Sequence, residues 1–155
     1  MLTGLRFVLL ALLLVCHSAQ AGGASAPAAV NTGLPRVRLG IQGHVFTAEV
    51  AATAQQQQTG LMHRRSLPPD HGMVFVFAQA QPVCMWMKNT LIPLSVAFIG
   101  ADGRIVNLAD MQPLTEDVHC AQGDVRYALE MPQHWFARHG VKPGDRVRDL
   151  PGATH

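Results

Sequence analysis

Val125-Arg126-Tyr127-Ala128-Leu129-Glu130-Met131 alternates cleanly. In an extended chain Val125, Tyr127, Leu129 and Met131 fall on one side, and Arg126 and Glu130 on the other. That period of two marks a strand with one face in a core. Pro132 then suits the first turn of a short helix over 133–139, which Gly140 ends. The same pattern recurs upstream. Residues 37–41 and 44–50 read as a hairpin about Gln42-Gly43. Residues 73–77 form a solid apolar run suited to an interior strand, and 83–88 a further strand. Residues 94–99 are apolar on both faces. Ala101-Asp102-Gly103 turns the chain into a strand over 104–108. Thr53-Ala54-Gln55-Gln56 has the spacing of a capping box, with Gly60 placed to stop the helix it starts. Residues 110–124 read as a long polar loop, and Lys142-Pro143-Gly144-Asp145 as a turn into a last short strand. Seven or eight short strands with turn signals between them predict a mainly β protein: one β-sandwich or jelly-roll-like barrel over 37–150, with one or two short helices.

Of 155 residues, 48% are hydrophobic and 14% charged, a balance that excludes a disordered chain. A net charge of +2 gives no electrostatic footprint for nucleic acid. The N-terminus reads separately. Arg6 precedes an unbroken apolar run over 7–16, and Ala19-Gln20-Ala21 supplies small residues before Gly22. This is the layout of a secretory signal peptide over 1–21. The apolar run is well short of the ~20 residues a span requires, which disfavours the alternative of an uncleaved anchor. Val15 before Cys16 is too bulky for lipoprotein processing. Residues 22–36 begin Gly/Ala/Ser/Pro-rich and read as a flexible tether. The expected location is the periplasm or the outside of the cell. Cleavage leaves Cys84 and Cys120, and an even pair in an oxidising compartment predicts a disulfide. The alternative is two buried free thiols.

Trp86-Met87-Lys88-Asn89-Thr90-Leu91-Ile92-Pro93-Leu94 is a distinctive run. With Gly60-Leu61-Met62, Gly72-Met73-Val74-Phe75, Asp102-Gly103-Arg104-Ile105-Val106, Leu129-Glu130 and Gly144-Asp145, it resembles an uncharacterised bacterial and archaeal family known as domain of unknown function 192. The resemblance covers about residues 37–149. It implies a compact, mainly β, jelly-roll-like domain, often exported, and no established activity, cofactor or catalytic residue. Two positions depart from the family pattern: Ser95 stands where Asp commonly follows Pro-Leu, and His63 where an aromatic commonly follows Gly-Leu-Met.

On a strand over 83–88, Cys84, Trp86 and Lys88 share one face, while Val83, Met85 and Met87 share the other. With the Val and Met face inward, Trp86 and Lys88 lie on a partly open face followed by the donors Asn89 and Thr90. One stacking ring beside three hydrogen-bonding groups suits a small polar ligand. Lys88 is one of two lysines against ten arginines, which hints at a need for a compact amine. Arg64 and Glu130 are candidates for the same site, Arg64 as an anion clamp. The competing structural account pairs Lys88 with Glu130, sinks Trp86 into the core and leaves Asn89-Thr90 as a turn. A metal role would use soft Met and His ligands at Met62-His63, His71-Gly72-Met73, Met85-Trp86-Met87 and Met111. No spacing matches a blue-copper or zinc site, and Met as core filler explains these residues equally well. No nucleophile elbow is present. The sequence assigns no catalytic residue, metal or cofactor. It points first to an exported domain that binds a small polar ligand or a cell-envelope partner. A metal-handling protein and an enzyme centred on Lys88 are the alternatives.

Overall fold

The structure is a computed structural model that describes residues 29–152. The expected signal peptide and the first part of the tether lie outside the described residues. Within the second part, Asn31 is fastened: its side-chain amide donates to the carbonyls of Gln56 and Gly60 at 2.9 and 3.0 Å.

The mainly β expectation holds. The strands are β1 (Arg36–Ile41), β2 (His44–Ala51), β3 (His71–Gln81), β4 (Cys84–Met85), β5 (Leu94–Ile99), β6 (Ile105–Met111), β7 (His119–Cys120) and β8 (Val125–Pro132), with helices α1 (Ala54–Thr59) and α2 (Trp135–Arg138). Six strands form one sheet in the order β1-β2-β3-β8-β5-β6, and β4 and β7 form a second, two-stranded one. Every pairing in the large sheet is antiparallel except β2 with β3. That parallel pair needs a crossover, which α1 and the loop after it supply.

The large sheet does not close into a barrel. The chain end bridges its two edges instead. Arg148 N–H donates to the Gly40 carbonyl at 2.8 Å beside β1, and Ile105 N–H donates to the Asp145 carbonyl at 2.9 Å beside β6. The expected last strand is therefore a pair of isolated bridges. The expected strand over 83–88 is regular only at Cys84–Met85. The expected polar loop over 110–124 begins after β6 and contains β7, and the helix over 133–139 is helical only at Trp135–Arg138.

Local signals act as their chemistry requires. The Thr53 hydroxyl accepts from Gln56 N–H at 3.3 Å while the Gln56 side chain accepts from Thr53 N–H at 3.0 Å. Gly60, at φ 45°, ends the helix. Gly72 has a different reason: a Cβ there would fall onto the Glu130 carbonyl oxygen of the neighbouring strand, so only glycine lets β3 and β8 approach this closely.

Both faces of the large sheet are covered. On the first, Val74, Ala97, Ile99, Tyr127, Leu129 and Met131 pack against Trp135, Phe136, Val141, Val147 and Leu150 from the C-terminal segment. Trp135 is pinned there by its indole N–H, which donates to Asp70 at 2.8 Å. On the second face, Met73, Phe75, Val96, Phe98 and Ala128 pack against Leu61, Val83 and Met87. A strand at the middle of such a sheet is buried on both sides. Glu130 therefore lies inside the protein, although the alternation about it suggested a wet face.

Candidate functional site

The segment 84–90 forms one wall of a cleft on the second face. Cys84 pairs directly opposite Cys120, with the Cα atoms 4.0 Å apart, and the two cysteines form a disulfide. Beyond β4, Met87 N–H donates to the Thr115 carbonyl at 3.2 Å and is followed by a tight turn in which Thr90 N–H donates to the Met87 carbonyl at 3.0 Å. Asn89 takes φ 59° in that turn, a left-handed conformation that asparagine tolerates better than most residues. The distinctive run thus divides by function: Met87 is a core anchor, Lys88 and Asn89 make the turn, and Trp86 and Thr90 face the cleft. The inward and outward split of odd and even residues survives the loss of the strand. Val83 and Met87 are buried, whereas Trp86 is 45% exposed.

Trp86 borders two chambers. The inner one, about 240 Å³, is lined by Phe75, Phe77, Met62, Met85, Thr90 and Glu130 among others, with the C-terminal end of α1 beside them. The outer one, about 450 Å³, is lined by Gln55, Met62, His63, Trp86, Lys88 and Asn89. The structure therefore brings Trp86, Lys88 and Asn89 together, and places Trp86, Thr90 and Glu130 around the inner chamber. Phe75 and Phe77, read from the sequence as interior strand, and Met62 and Met85, read as core filler or soft metal ligands, are lining residues that the sequence reading did not place at a ligand site.

Glu130 is the unusual member. It is 3% exposed, and no described residue ion-pairs or hydrogen-bonds its carboxyl. None of the fully enclosed side-chain oxygens among the described residues lacks a partner. The Glu130 carboxyl is therefore open to the inner chamber, which it lines. Burial alone pushes its pKa from 4.5 up to about 8, because removing a carboxylate from water disfavours its charged form.

Lys88 and Arg64 have partners other than Glu130. Lys88 does not pair with Glu130: its Nζ lies 3.4 Å from Glu116 and 5.3 Å from the Trp86 ring centroid, with the side chain 46% exposed. Arg64 does not join the site. It makes a two-pronged contact with Glu49 at 2.8 and 2.6 Å and donates to the Asn31 carbonyl at 2.7 Å. Its guanidinium holds the Glu49 carboxyl below the usual range. Of the proposed soft metal ligands, Met73, Met87 and Met111 are wholly buried core. The described residues contain no group of three or more His, Cys, Asp or Glu side chains placed to hold a metal.

A second cluster escaped the sequence reading. The Ser95 hydroxyl donates to Asp110 and accepts from His134 N–H at 2.8 Å, and His134 Nδ1 sits 2.9 Å from the other Asp110 oxygen. Ser95 is thus beside Asp110 and His134 in space, although neither is near it in sequence. A β-bulge at Phe98/Ile99 sets Ser95 opposite Asp110, and hairpin counting without the bulge would have put Ala109 there.

These features describe a mainly β domain with one sealed and one hollow side. The chain belongs to the family described as Uncharacterized ACR, COG1430 (DUF192), whose model matches residues 37–148. It is also similar to a protein from Sinorhizobium meliloti 1021 described as a candidate transcription regulator. That similarity has 38% identity and a TM-score of 0.73, over 76% of this chain and 96% of the other. A protein of unknown function from Novosphingobium aromaticivorans DSM 12444 is 39% identical, with a TM-score of 0.73, over 81% and 94% of the two chains. No curated protein matches the chain.

Proposed function

We propose that this protein is an exported binding domain for a small molecule, and that its site is the cleft bordered by Trp86 and floored by Glu130. The observation that carries this is the Glu130 carboxyl, buried, without a partner among the described residues and open to a chamber walled by rings and thioethers. Burying an uncompensated acid costs stability, and a fold retains such a group most readily where it does work. A mostly apolar pocket with a few convergent polar groups is the usual form of a small-molecule site. Export is supported by the pattern of the leader and by the disulfide, since such bonds persist in oxidising compartments. Among the described residues no helix is long and apolar enough to cross a membrane.

The protein carries its own reporter. It has two tryptophans, of which Trp135 is buried and Trp86 borders the cleft. A small-molecule screen read by tryptophan emission should find ligands that shift the spectrum, with the shift lost in Trp86→Phe. A ligand at 100 times its Kd should also add about 2.7 kcal/mol to stability. Ligands that shift melting but leave Trp86 emission unchanged would place binding elsewhere. The intact mass of secreted protein should begin at Gly22.

A second reading, a cell-envelope protein partner, is favoured by the exposure of Trp86, Leu91, Leu114 and Val118 on the two segments that carry β4 and β7. Replacing Leu114 and Val118 by Ser would then abolish partner capture and leave small-molecule binding intact.

A further inference from the structure

Among the described residues, the inner chamber contains an acid and no base. None of the residues lining it is Lys, Arg or His. Lys88 lines the outer chamber and is committed to Glu116, and Arg64 is committed to Glu49. What the chamber offers around Glu130 is the rings of Phe75, Phe77 and Trp86, the thioethers of Met62 and Met85, and the nearly buried Thr90. Aromatic faces carry the negative end of a quadrupole and attract cations. A buried carboxylate gains most from a partner that brings both opposite charge and hydrogen-bond donors.

We infer that the inner chamber accepts an organic ammonium, a primary or secondary amine on a short apolar or aromatic body. Its N–H donors meet the Glu130 carboxylate, and its body lies against the rings and thioethers. This rests on the binding role proposed above and adds the chemical class of the ligand. The proton balance is explicit. In the free protein at pH 7 the Glu130 carboxyl holds its proton, because burial lifts its pKa to about 8. An arriving ammonium keeps its own protons and displaces that one to solvent. The complex then contains R-NH3+ and carboxylate, and one proton is released. Well below pH 8 the affinity rises about tenfold per pH unit; the slope falls as pH approaches 8, and the affinity levels off above. A neutral hydrogen-bond acceptor would behave in the opposite way, binding the protonated acid and weakening above pH 8.

Titration calorimetry of the disulfide-bonded protein with benzylammonium, and with benzyl alcohol as its neutral counterpart, tests this at pH 6, 7 and 8. Benzylammonium should bind about fivefold tighter at pH 8 than at pH 7, and about ninefold tighter at pH 7 than at pH 6. About one proton should be released at pH 7, as read from buffers of different ionisation enthalpy. Glu130→Gln should cost benzylammonium about tenfold or more at pH 8, a loss much larger than any change in benzyl alcohol binding. Benzyl alcohol binding as tightly as benzylammonium at every pH overturns the inference while the binding role stands. If neither probe gives heat or shifts Trp86 emission, the binding role falls as well. The wild-type pH series decides the matter even if Glu130→Gln fails to fold.

Discussion

The two faces of the six-stranded sheet are built from the same strands and differ in what covers them. The first is closed by the C-terminal segment, whose Trp135, Phe136, Val141, Val147 and Leu150 complete an apolar layer. The second is covered by α1, by the loop after it and by the short β4–β7 pair, and a chamber and a buried acid remain beneath. Tyr127, Leu129 and Met131 point to the sealed side, and Ala128 and Glu130 to the hollow one. One strand, β8, thus serves packing with one set of side chains and the candidate site with the other. Sealing one face supplies stability that the incompletely packed face does not.

The largest expected effect is the pH dependence that Glu130 imposes on the hollow side. Its pKa is about 8 folded against 4.5 unfolded, so the native state holds the proton more tightly. The associated stability is fully present below pH 4.5 and is lost as pH rises through about 8. Integrated over that window the loss is roughly 5 kcal/mol. Urea unfolding from pH 5 to pH 9 should show this decline. Glu130→Gln, which cannot ionise, should flatten it and be the more stable protein at pH 9. An unchanged slope in the mutant would mean that Glu130 has a partner when folded, and the contrast between the faces would lose its main element.

Next is the disulfide. β4 and β7 are two residues each, and such a pair is not stable alone. The cross-link joins residues 36 apart and is worth about 4 kcal/mol in the chain-entropy model. Cys84→Ser with Cys120→Ser should lower stability by about that amount, measured by urea unfolding. Hydrogen exchange should rise over 84–90 and 114–121 before it rises on the sealed face. A uniform rise would show that the small sheet is integral to the core.

Much of the frame was legible because its signals are local. The Thr53 capping box, the hairpin about Gln42-Gly43, the Asp102-Gly103 turn and the glycine stop at Gly60 each depend on residues within a few positions of one another. The cysteine pair was legible by count, given the compartment expected from the leader. The candidate site was legible in part: Trp86, Lys88, Asn89 and Thr90 adjoin the cleft. What failed was partner choice over long separations. Lys88 meets Glu116 and Arg64 meets Glu49, and nothing local distinguishes those carboxylates from Glu130. The alternation about Glu130 matched a half-exposed strand, because periodicity reports sidedness and does not say whether another layer covers the polar side. The bulge at Phe98/Ile99 that aligns Ser95 with Asp110 has no local signature either.

The two faces should also respond differently to truncation. Leu129→Ala on the sealed side removes a wholly buried side chain from a layer that cannot collapse, and should cost about 3 kcal/mol. Met85→Ala, beside an existing chamber, creates little new unfilled space and should cost about 1 kcal/mol or less. Equal losses by urea unfolding would mean that the second face is packed as tightly as the first.

The smallest expected effect concerns Lys88. Its ammonium is half exposed, its Glu116 partner more so, and the ring of Trp86 lies beneath it. Exposed ion pairs contribute about 0–1 kcal/mol, and exposed cation–π contacts about the same. Lys88→Met keeps most of the stem that covers the ring and removes the charge. Unfolding free energy should therefore fall by less than about 1 kcal/mol. Had Lys88 been the buried partner of Glu130, the same change would cost on the order of 3 kcal/mol by stranding the acid. The charge still matters for the cleft, because Lys88 lines its outer chamber, where it opposes the entry of a cation and favours that of an anion. Benzylammonium should bind Lys88→Met at least as tightly as the wild type, with any gain shrinking as salt screens the repulsion. A mutant that folds normally and binds the ammonium more weakly would instead make Lys88 part of the recognition surface, and would move the site from the inner chamber to the outer one.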